Sequence, residues 1–206
     1  MSRYALHASP AIALVLLASS IDGQEVTSTT YDGYCDSFAG NARLDEGVCV
    51  GFEFSDGTND ISAGLATTSK WDFNGSSWSF SEGVSVFFGT TEIQANEAVL
   101  RFEADELVHG ELSGNPVVMS DYIEERDTPI RGTAGRISYN KETGTVRLIG
   151  QATLVIGENE IMGCDWIYNF VEKSYSGGGT EDCGGMLFRL APPEESDDLQ
   201  NQATSP

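Results

Sequence analysis

Val84-Ser85-Val86-Phe87-Phe88-Gly89-Thr90-Thr91-Glu92-Ile93 is the stretch on which the reading of the fold turns. Val84, Val86 and Phe88 alternate with Ser85 and Phe87, the period of two that buries one face of a strand. A shift of 68 residues carries Gly89 onto Gly157, Glu92 onto Glu160, Ile93 onto Ile161 and Phe102 onto Phe170. The same shift carries Val84, Val86 and Phe88 onto Ala152, Leu154 and Ile156, which alternate with Thr153 and Val155. One segment competes as a helix: from Glu92 to His109, Leu100, Ala104, Leu107 and Val108 stand at helical spacing. The repeat argues against it, because the second copy carries Gly163 and Asp165 where that helix would run. Hairpins satisfy both copies, with turns expected near Asn96-Glu97 and Gly163-Asp165. A third, weaker echo sets Gly40-Asn41-Ala42-Arg43-Leu44 beside Gly150-Gln151-Ala152-Thr153-Leu154.

Hairpins that cannot bury an apolar face alone must stack, so the expectation is an all-β chain of successive antiparallel rungs around an apolar interior. Composition agrees. The 206 residues are 40% hydrophobic and 10% aromatic, enough for a sizeable core and too apolar for disorder throughout. The 23 glycines, with many Ser, Thr, Asn and Asp, supply turns between short strands. With 11 Lys and Arg against 32 Asp and Glu, the formal charge is -21, which excludes nucleic acid as a partner because phosphate binding needs clustered bases.

The N-terminus reads as an address. Arg3 precedes the apolar run Ala11-Ile12-Ala13-Leu14-Val15-Leu16-Leu17-Ala18, followed by Ser19 and Ser20, so residues 1–20 are expected to be a signal peptide cut after Ser20. A membrane anchor would need about 20 apolar residues, and His7, Ser9 and Pro10 interrupt the run. Residues 21–60 then form an N-terminal extension, residues 61–190 the main β domain, and residues 191–206, from Pro192-Pro193-Glu194-Glu195 onward, a disordered acidic tail. Met186-Leu187-Phe188-Arg189-Leu190 offers a last strand before that tail.

Export places the cysteines in an oxidising compartment, where bridges are favoured over thiols. Of the three pairings open to Cys35, Cys49, Cys164 and Cys183, chain order favours Cys35 with Cys49 and Cys164 with Cys183. Zinc is the competing use, but no CxxC is present.

Little catalytic chemistry is available. His7 lies in the signal peptide, so His109 alone would have to serve any Ser-His-Asp triad, and its setting in Leu107-Val108-His109-Gly110 reads as the polar face of a strand end. Bridged cysteines leave no thiolate nucleophile. Carboxylates abound, but no pair stands out as the opposed acids of a glycosidase. Ser55-Asp56-Gly57-Thr58-Asn59-Asp60 could hold Ca²⁺ loosely, yet it lacks the distal Glu of an EF-hand and reads as a polar turn. Trp71 and Trp78 could stack on sugars, although aromatics at strand positions usually pack in the core or rim. Neither a catalytic set, a metal site nor a cofactor is expected.

Two stretches carry a resemblance. One runs from Trp71-Asp72-Phe73-Asn74-Gly75 through Ser79-Phe80-Ser81 and Val84 to Thr91-Glu92-Ile93-Gln94-Ala95-Asn96-Glu97-Ala98-Val99-Leu100. The other joins Gly132-Thr133-Ala134, Ile137-Ser138-Tyr139-Asn140, Val146-Arg147-Leu148-Ile149-Gly150-Gln151-Ala152 and Glu160-Ile161-Met162-Gly163-Cys164-Asp165-Trp166-Ile167-Tyr168. Leu112-Ser113-Gly114-Asn115-Pro116-Val117-Val118 lies between them as a Gly-x-Pro strand. In this order and spacing, from Ile61 to Gly178, the chain resembles the LptA/OstA family of lipopolysaccharide-transport proteins.

The resemblance implies a β-jellyroll with an apolar groove, open along one side and stacked end to end with related jellyrolls by strand pairing, itself included as a homo-oligomer, into a periplasmic bridge. The ligand it implies is lipopolysaccharide, with the lipid A acyl chains against Phe73, Phe80, Val84, Val86, Phe88, Ile93, Leu100, Phe102, Tyr139, Leu148, Leu154, Ile156, Ile161 and Phe170. Two departures stand out: the extension with Cys35 and Cys49, which would be an extra rung or cap, and Met162, Cys164 and Asp165 where family members often carry basic residues. Arg101, Arg126, Arg131, Arg136, Lys141 and Arg147 remain as basic candidates for lipid phosphate, with a solvated role as the plainer use. Acidity disfavours anionic headgroups, so recognition would rest on the acyl chains, with Ca²⁺ or Mg²⁺ able to bridge acid to phosphate. The rival readings are a jellyroll adaptor of the cell envelope that carries no lipid, and a secreted β-sandwich glycosidase.

Overall fold

The computed structural model describes residues 32–41, 43, 45–55, 57, 59–70, 73–178 and 185–192. The expected signal peptide, Trp71, Asp56, Thr58, Cys183 and nearly all of the acidic tail lie outside the described residues.

The strands are β1 (Asp32–Tyr34), β2 (Ser37–Asn41), β3 (Glu46–Ser55), β4 (Asn59–Thr68), β5 (Ser76–Phe88), β6 (Thr91–Glu103), β7 (Glu106–Ile123), β8 (Thr128–Asn140), β9 (Thr145–Ile156), β10 (Asn159–Asn169), β11 (Ser174–Gly178) and β12 (Leu187–Arg189). All belong to one sheet, an antiparallel meander from β3 to β11. Residues 92–109 are strand and hairpin, so the helical spacing there is incidental. The 68-residue repeat is structural: β5 and β6 with their turn at Gly89-Thr90 correspond to β9 and β10 with their turn at Gly157-Glu158.

The hairpin turns are not where the sequence placed them. Asn96-Glu97 lies inside β6 and Gly163-Asp165 inside β10, each at a register shift in the ladder. An extra residue in one strand of a pair kinks that strand without ending it. Such shifts recur between Ser62 and Leu65, Ser81 and Val84, Ser113 and Val117, and Thr133 and Arg136. Aligned across the sheet, they make a corner line at which it folds over. Glycines in the left-handed region occupy the line at Gly51, Gly83 and Gly150, where φ is +63, +82 and +78, a conformation that glycine adopts without steric cost. The third echo is no repeat, because Gly150-Gln151 is a mid-strand corner of β9 whereas Gly40-Asn41 ends β2.

The fold-over divides the strands into two arms. The first arm contains residues 52–55, 59–62, 84–88, 91–94, 117–123, 128–133, 152–156 and 159–162; the second contains 46–50, 65–68, 76–81, 97–103, 106–113, 136–140, 145–149 and 165–169. Side chains on the inner faces of the two arms make the core. Phe52 of the first arm meets Trp78 and Phe80 of the second at centroid distances of 5.6 and 5.1 Å. Phe88 meets Tyr139 at 4.6 Å in the same way.

Each end of the sheet is finished by a strand split at the corner line. β1 and β2 pair with the two halves of β3, and a Cys35–Cys49 disulfide pins the bend between them. At the other end β12 and β11 pair with the two halves of β10, on either side of Cys164, which is also disulfide-bonded. The N-terminal extension is thus hydrogen-bonded into the sheet through β3 and β4.

Candidate functional site

The interior between the arms collects inward side chains from every long strand, β3 to β10. Along β5 the buried positions are Ser76, Trp78, Phe80, Val84, Val86 and Phe88, and the corner at Glu82-Gly83 lets both halves keep the same inward phase. In β6 the corner changes the phase, from Thr91 and Ile93 to Ala98, Leu100 and Phe102. Local alternation therefore identifies the inward residues of each half, while the bend decides how the halves combine.

Of the groove residues expected from the sequence, Phe80, Val84, Val86, Phe88, Ile93, Leu100, Phe102, Tyr139, Leu148, Leu154 and Ile161 are buried in this one cluster. Phe73, Ile156 and Phe170 are partly buried and pack against it. All of them line the same interior. Several residues with the same placement went unselected, among them Phe52, Phe54, Leu112, Met119, Ile130, Ile137 and Tyr168. Their signal is the alternation of β3, β7, β8 and β10.

Towards β3 the interior is filled with rings: Phe54 and Phe73 lie 4.5 Å apart, and Phe73 stacks on Trp78 at 5.1 Å. Trp78 is thereby a core residue, not a surface platform for sugar. Between the free ends of the arms a cleft of about 760 Å³ opens, with Phe88, Tyr139 and Phe170 inside and Thr90, Asp105, Glu106, Lys141 and Lys173 among the residues of its rim. That volume is in the usual range for a small-ligand site.

One carboxylate is buried beside this cleft. Asp121 follows Val117 and Met119 on the inward face of β7, and Tyr168 donates its hydroxyl to Asp121 Oδ2 at 2.5 Å. Burial and this neighbouring carboxylate both push the Tyr168 phenol well above its ordinary pKa, burial having the larger effect. Lys173 pairs with the same carboxylate at 2.7 Å. Neither Asp121 nor Lys173 belongs to a sequence motif; the one signal is an acid at an inward position of a strand.

The remaining ion pairs lie on the outer surface, except Lys141 with Glu106 at the cleft rim. Arg101 pairs with Glu103, Arg136 with Glu111, Lys141 with Glu106 and Arg147 with Asp165, all at least partly exposed. Arg126 and Arg131 are exposed. His109 also lies on the outer face, 3.3 Å from Glu111. Among the described residues no group of three or more His, Cys, Asp or Glu could hold a metal ion.

An antiparallel sheet folded over an apolar interior, with unpaired end strands, is the architecture that the sequence resemblance implied. A family model for the LptA and LptD N-terminal domain lipopolysaccharide-transport proteins matches residues 65–174, more than half of the chain. The chain belongs to this LptA/LptD N-terminal family. In fold it is similar to LptH, described as the LptA-homologous periplasmic component of the lipopolysaccharide transport device of Pseudomonas aeruginosa. The two share 14% identity with a TM-score of 0.51, over 80% of this chain and 96% of that one. No curated protein matches the sequence.

Membership of the LptA/LptD N-terminal family assigns the chain to lipopolysaccharide transport, a non-enzymatic role, which displaces the glycosidase reading. It also implies lipopolysaccharide and other bridge proteins of the Lpt system as partners. The family match begins in β4, so β1 to β3 stand outside it while sharing its sheet. No helix among the described residues is long and apolar enough to cross a membrane.

Proposed function

We propose that this protein is a periplasmic carrier that holds the acyl chains of lipopolysaccharide between the two arms of its sheet, as one segment of a bridge from inner to outer membrane. The observation that carries the proposal is the continuous apolar interior: inward residues of β3 to β10 make one cluster inside a sheet whose end strands do not pair with each other. Burying apolar surface contributes about 25 cal/mol per Å², so lipid chains need no charged recognition from a chain of formal charge -21. The end strands support strand-to-strand assembly, because β1, β2, β11 and β12 form the sheet edges and carry exposed Tyr34, Phe38, Tyr175, Leu187 and Phe188.

Photo-crosslinking amino acids at Val86, Leu154 and Phe102 in living cells test the carrier role. Capture of lipopolysaccharide at these inward positions and not at exposed Glu158 is the expected result. Capture at Glu158 alone would overturn it.

A second reading, an adaptor that carries no lipid, is favoured by the ring packing around Phe54, Phe73 and Trp78, which fills the β3 end of the interior with the chain's own side chains. Purified protein that fails to bind lipid A yet retains a basic periplasmic partner would select it.

A further inference from the structure

Three segments distant in sequence meet at Asp121, whose side chain has no solvent exposure. Its Oδ1 accepts the Thr90 hydroxyl at 2.7 Å, the Tyr122 backbone N–H at 2.7 Å and the Lys173 ammonium at 2.9 Å. Its Oδ2 accepts Tyr168 at 2.5 Å and Lys173 at 2.7 Å. Lys173 also donates to Thr90 Oγ1 at 3.0 Å. Thr90 and Asp121 belong to the first arm and its turn, Tyr168 and Lys173 to the second arm and its turn, so the cluster ties the two arms together at their free ends.

Stability alone does not explain its polar character. Replacing a buried ion pair by packed apolar side chains is often neutral or stabilising, and the inward position of Asp121, in line with Val117 and Met119, suits such a side chain. Lys173 reaches Asp121 from the turn after β10, where its backbone is left-handed at φ +52. Without Lys173, Asp121 would keep the two donors of its own arm, the Thr90 hydroxyl and the Tyr122 N–H, whether or not Tyr168 of the opposite arm stays bound. The carboxylate therefore has a supported state with the ammonium bound and another with it withdrawn, which a two-state closure needs.

We propose that the Asp121–Lys173 cluster is a latch across the mouth of the groove, and that lipid chains enter sideways at the cleft beside it when the latch opens. The ammonium then leaves Asp121 for solvent at the cleft rim, while the chains reach Phe88, Tyr139 and Phe170. The entry step rests on the carrier reading above; the closure of the arms does not.

The test uses the mature protein in three forms: unaltered, Lys173→Met, and a Thr90→Cys/Lys173→Cys pair bridged by a short bismaleimide. Spin labels at Glu142→Cys and Glu158→Cys report the distance between the arm ends, and fluorescently labelled lipopolysaccharide reports uptake. Lys173→Met is expected to lengthen and broaden the distance distribution and to raise the uptake rate at least threefold. Bridging is expected to slow uptake at least tenfold relative to each single-cysteine protein treated alike. An unchanged distance distribution in Lys173→Met, or undiminished uptake by the bridged protein, would overturn the latch. Should Lys173→Met fail to fold, the bridged protein decides. If the unaltered protein takes up no lipopolysaccharide, the carrier reading fails, and the distance distribution alone then decides the latch.

Discussion

Tyr168 and Asp121, 47 residues apart in sequence and on opposite arms of the sheet, share a hydrogen bond of 2.5 Å in the interior. Because burial and the carboxylate raise the phenol's pKa in the folded state, the folded chain holds this proton more tightly than the unfolded chain does. The resulting stability is complete below the ordinary tyrosine value of 10.0 and is lost as pH rises from there towards the folded value. Urea melts between pH 8 and 11 should show stability falling above about pH 10, with a shallower fall in Tyr168→Phe. An equal slope in both proteins would refute the coupling.

Removing the carboxylate should be costlier than removing its charge. Asp121→Ala leaves Lys173 without its buried partner and Tyr168 without an acceptor, a loss of about 3–5 kcal/mol. Asp121→Asn keeps the shape and an acceptor oxygen and should lose less. Chemical denaturation of the two variants checks the order.

Gly177 faces the Trp166 ring so closely that an added Cβ would stand 2.3 Å from its Cε3. At Gly132 the nearest atom to such a Cβ is Leu148 Cδ2, at 2.5 Å, the tip of a flexible side chain. Overpacking costs roughly 1–3 kcal/mol where neighbours cannot give way. Gly177→Ala should therefore lower the melting temperature more than Gly132→Ala does, and the reverse order in thermal melts would show that the tryptophan yields more easily than the leucine.

Trp166 is buried with its Nε1–H unpaired. An unsatisfied buried donor costs about 1–3 kcal/mol, so Trp166→Phe offsets its lost packing by removing that donor. The expected change in stability is under about 1 kcal/mol, against about 2–5 kcal/mol for Leu148→Ala in the same interior. Urea denaturation of the two variants decides.

The Cys35–Cys49 bridge closes a sequence separation of 14 residues and pins the bend between β1 and β2. Closing a loop of that length is worth about 3 kcal/mol. Cys35→Ser/Cys49→Ser should lose about that much, and hydrogen exchange should quicken first in β2 and its partner half of β3. Uniform loss of protection across the sheet would instead mean that this end is a keystone of the fold.

The inward parity of Val84, Val86 and Phe88 and its recurrence at Ala152, Leu154 and Ile156 were legible because alternation is local: each side chain's face follows from its neighbours along the strand. The Cys35–Cys49 pair was legible for a similar reason, since a short separation leaves few geometries. The turns were misplaced because Asn96, Glu97, Gly163 and Asp165 have the composition of a turn as well as that of a mid-strand corner. Which of the two they form depends on whether the neighbouring strand bends at the same place.

The all-β class, the 68-residue repeat and the inward parity within each strand half follow from a period of two and from chain order alone. Only the tertiary structure decided that every long strand folds at one corner line, and that Lys173 and Thr90, 83 residues apart, meet over Asp121. A bend requires matched register shifts in neighbouring strands, and a contact between arms depends on where that bend falls; neither is a property of any one segment.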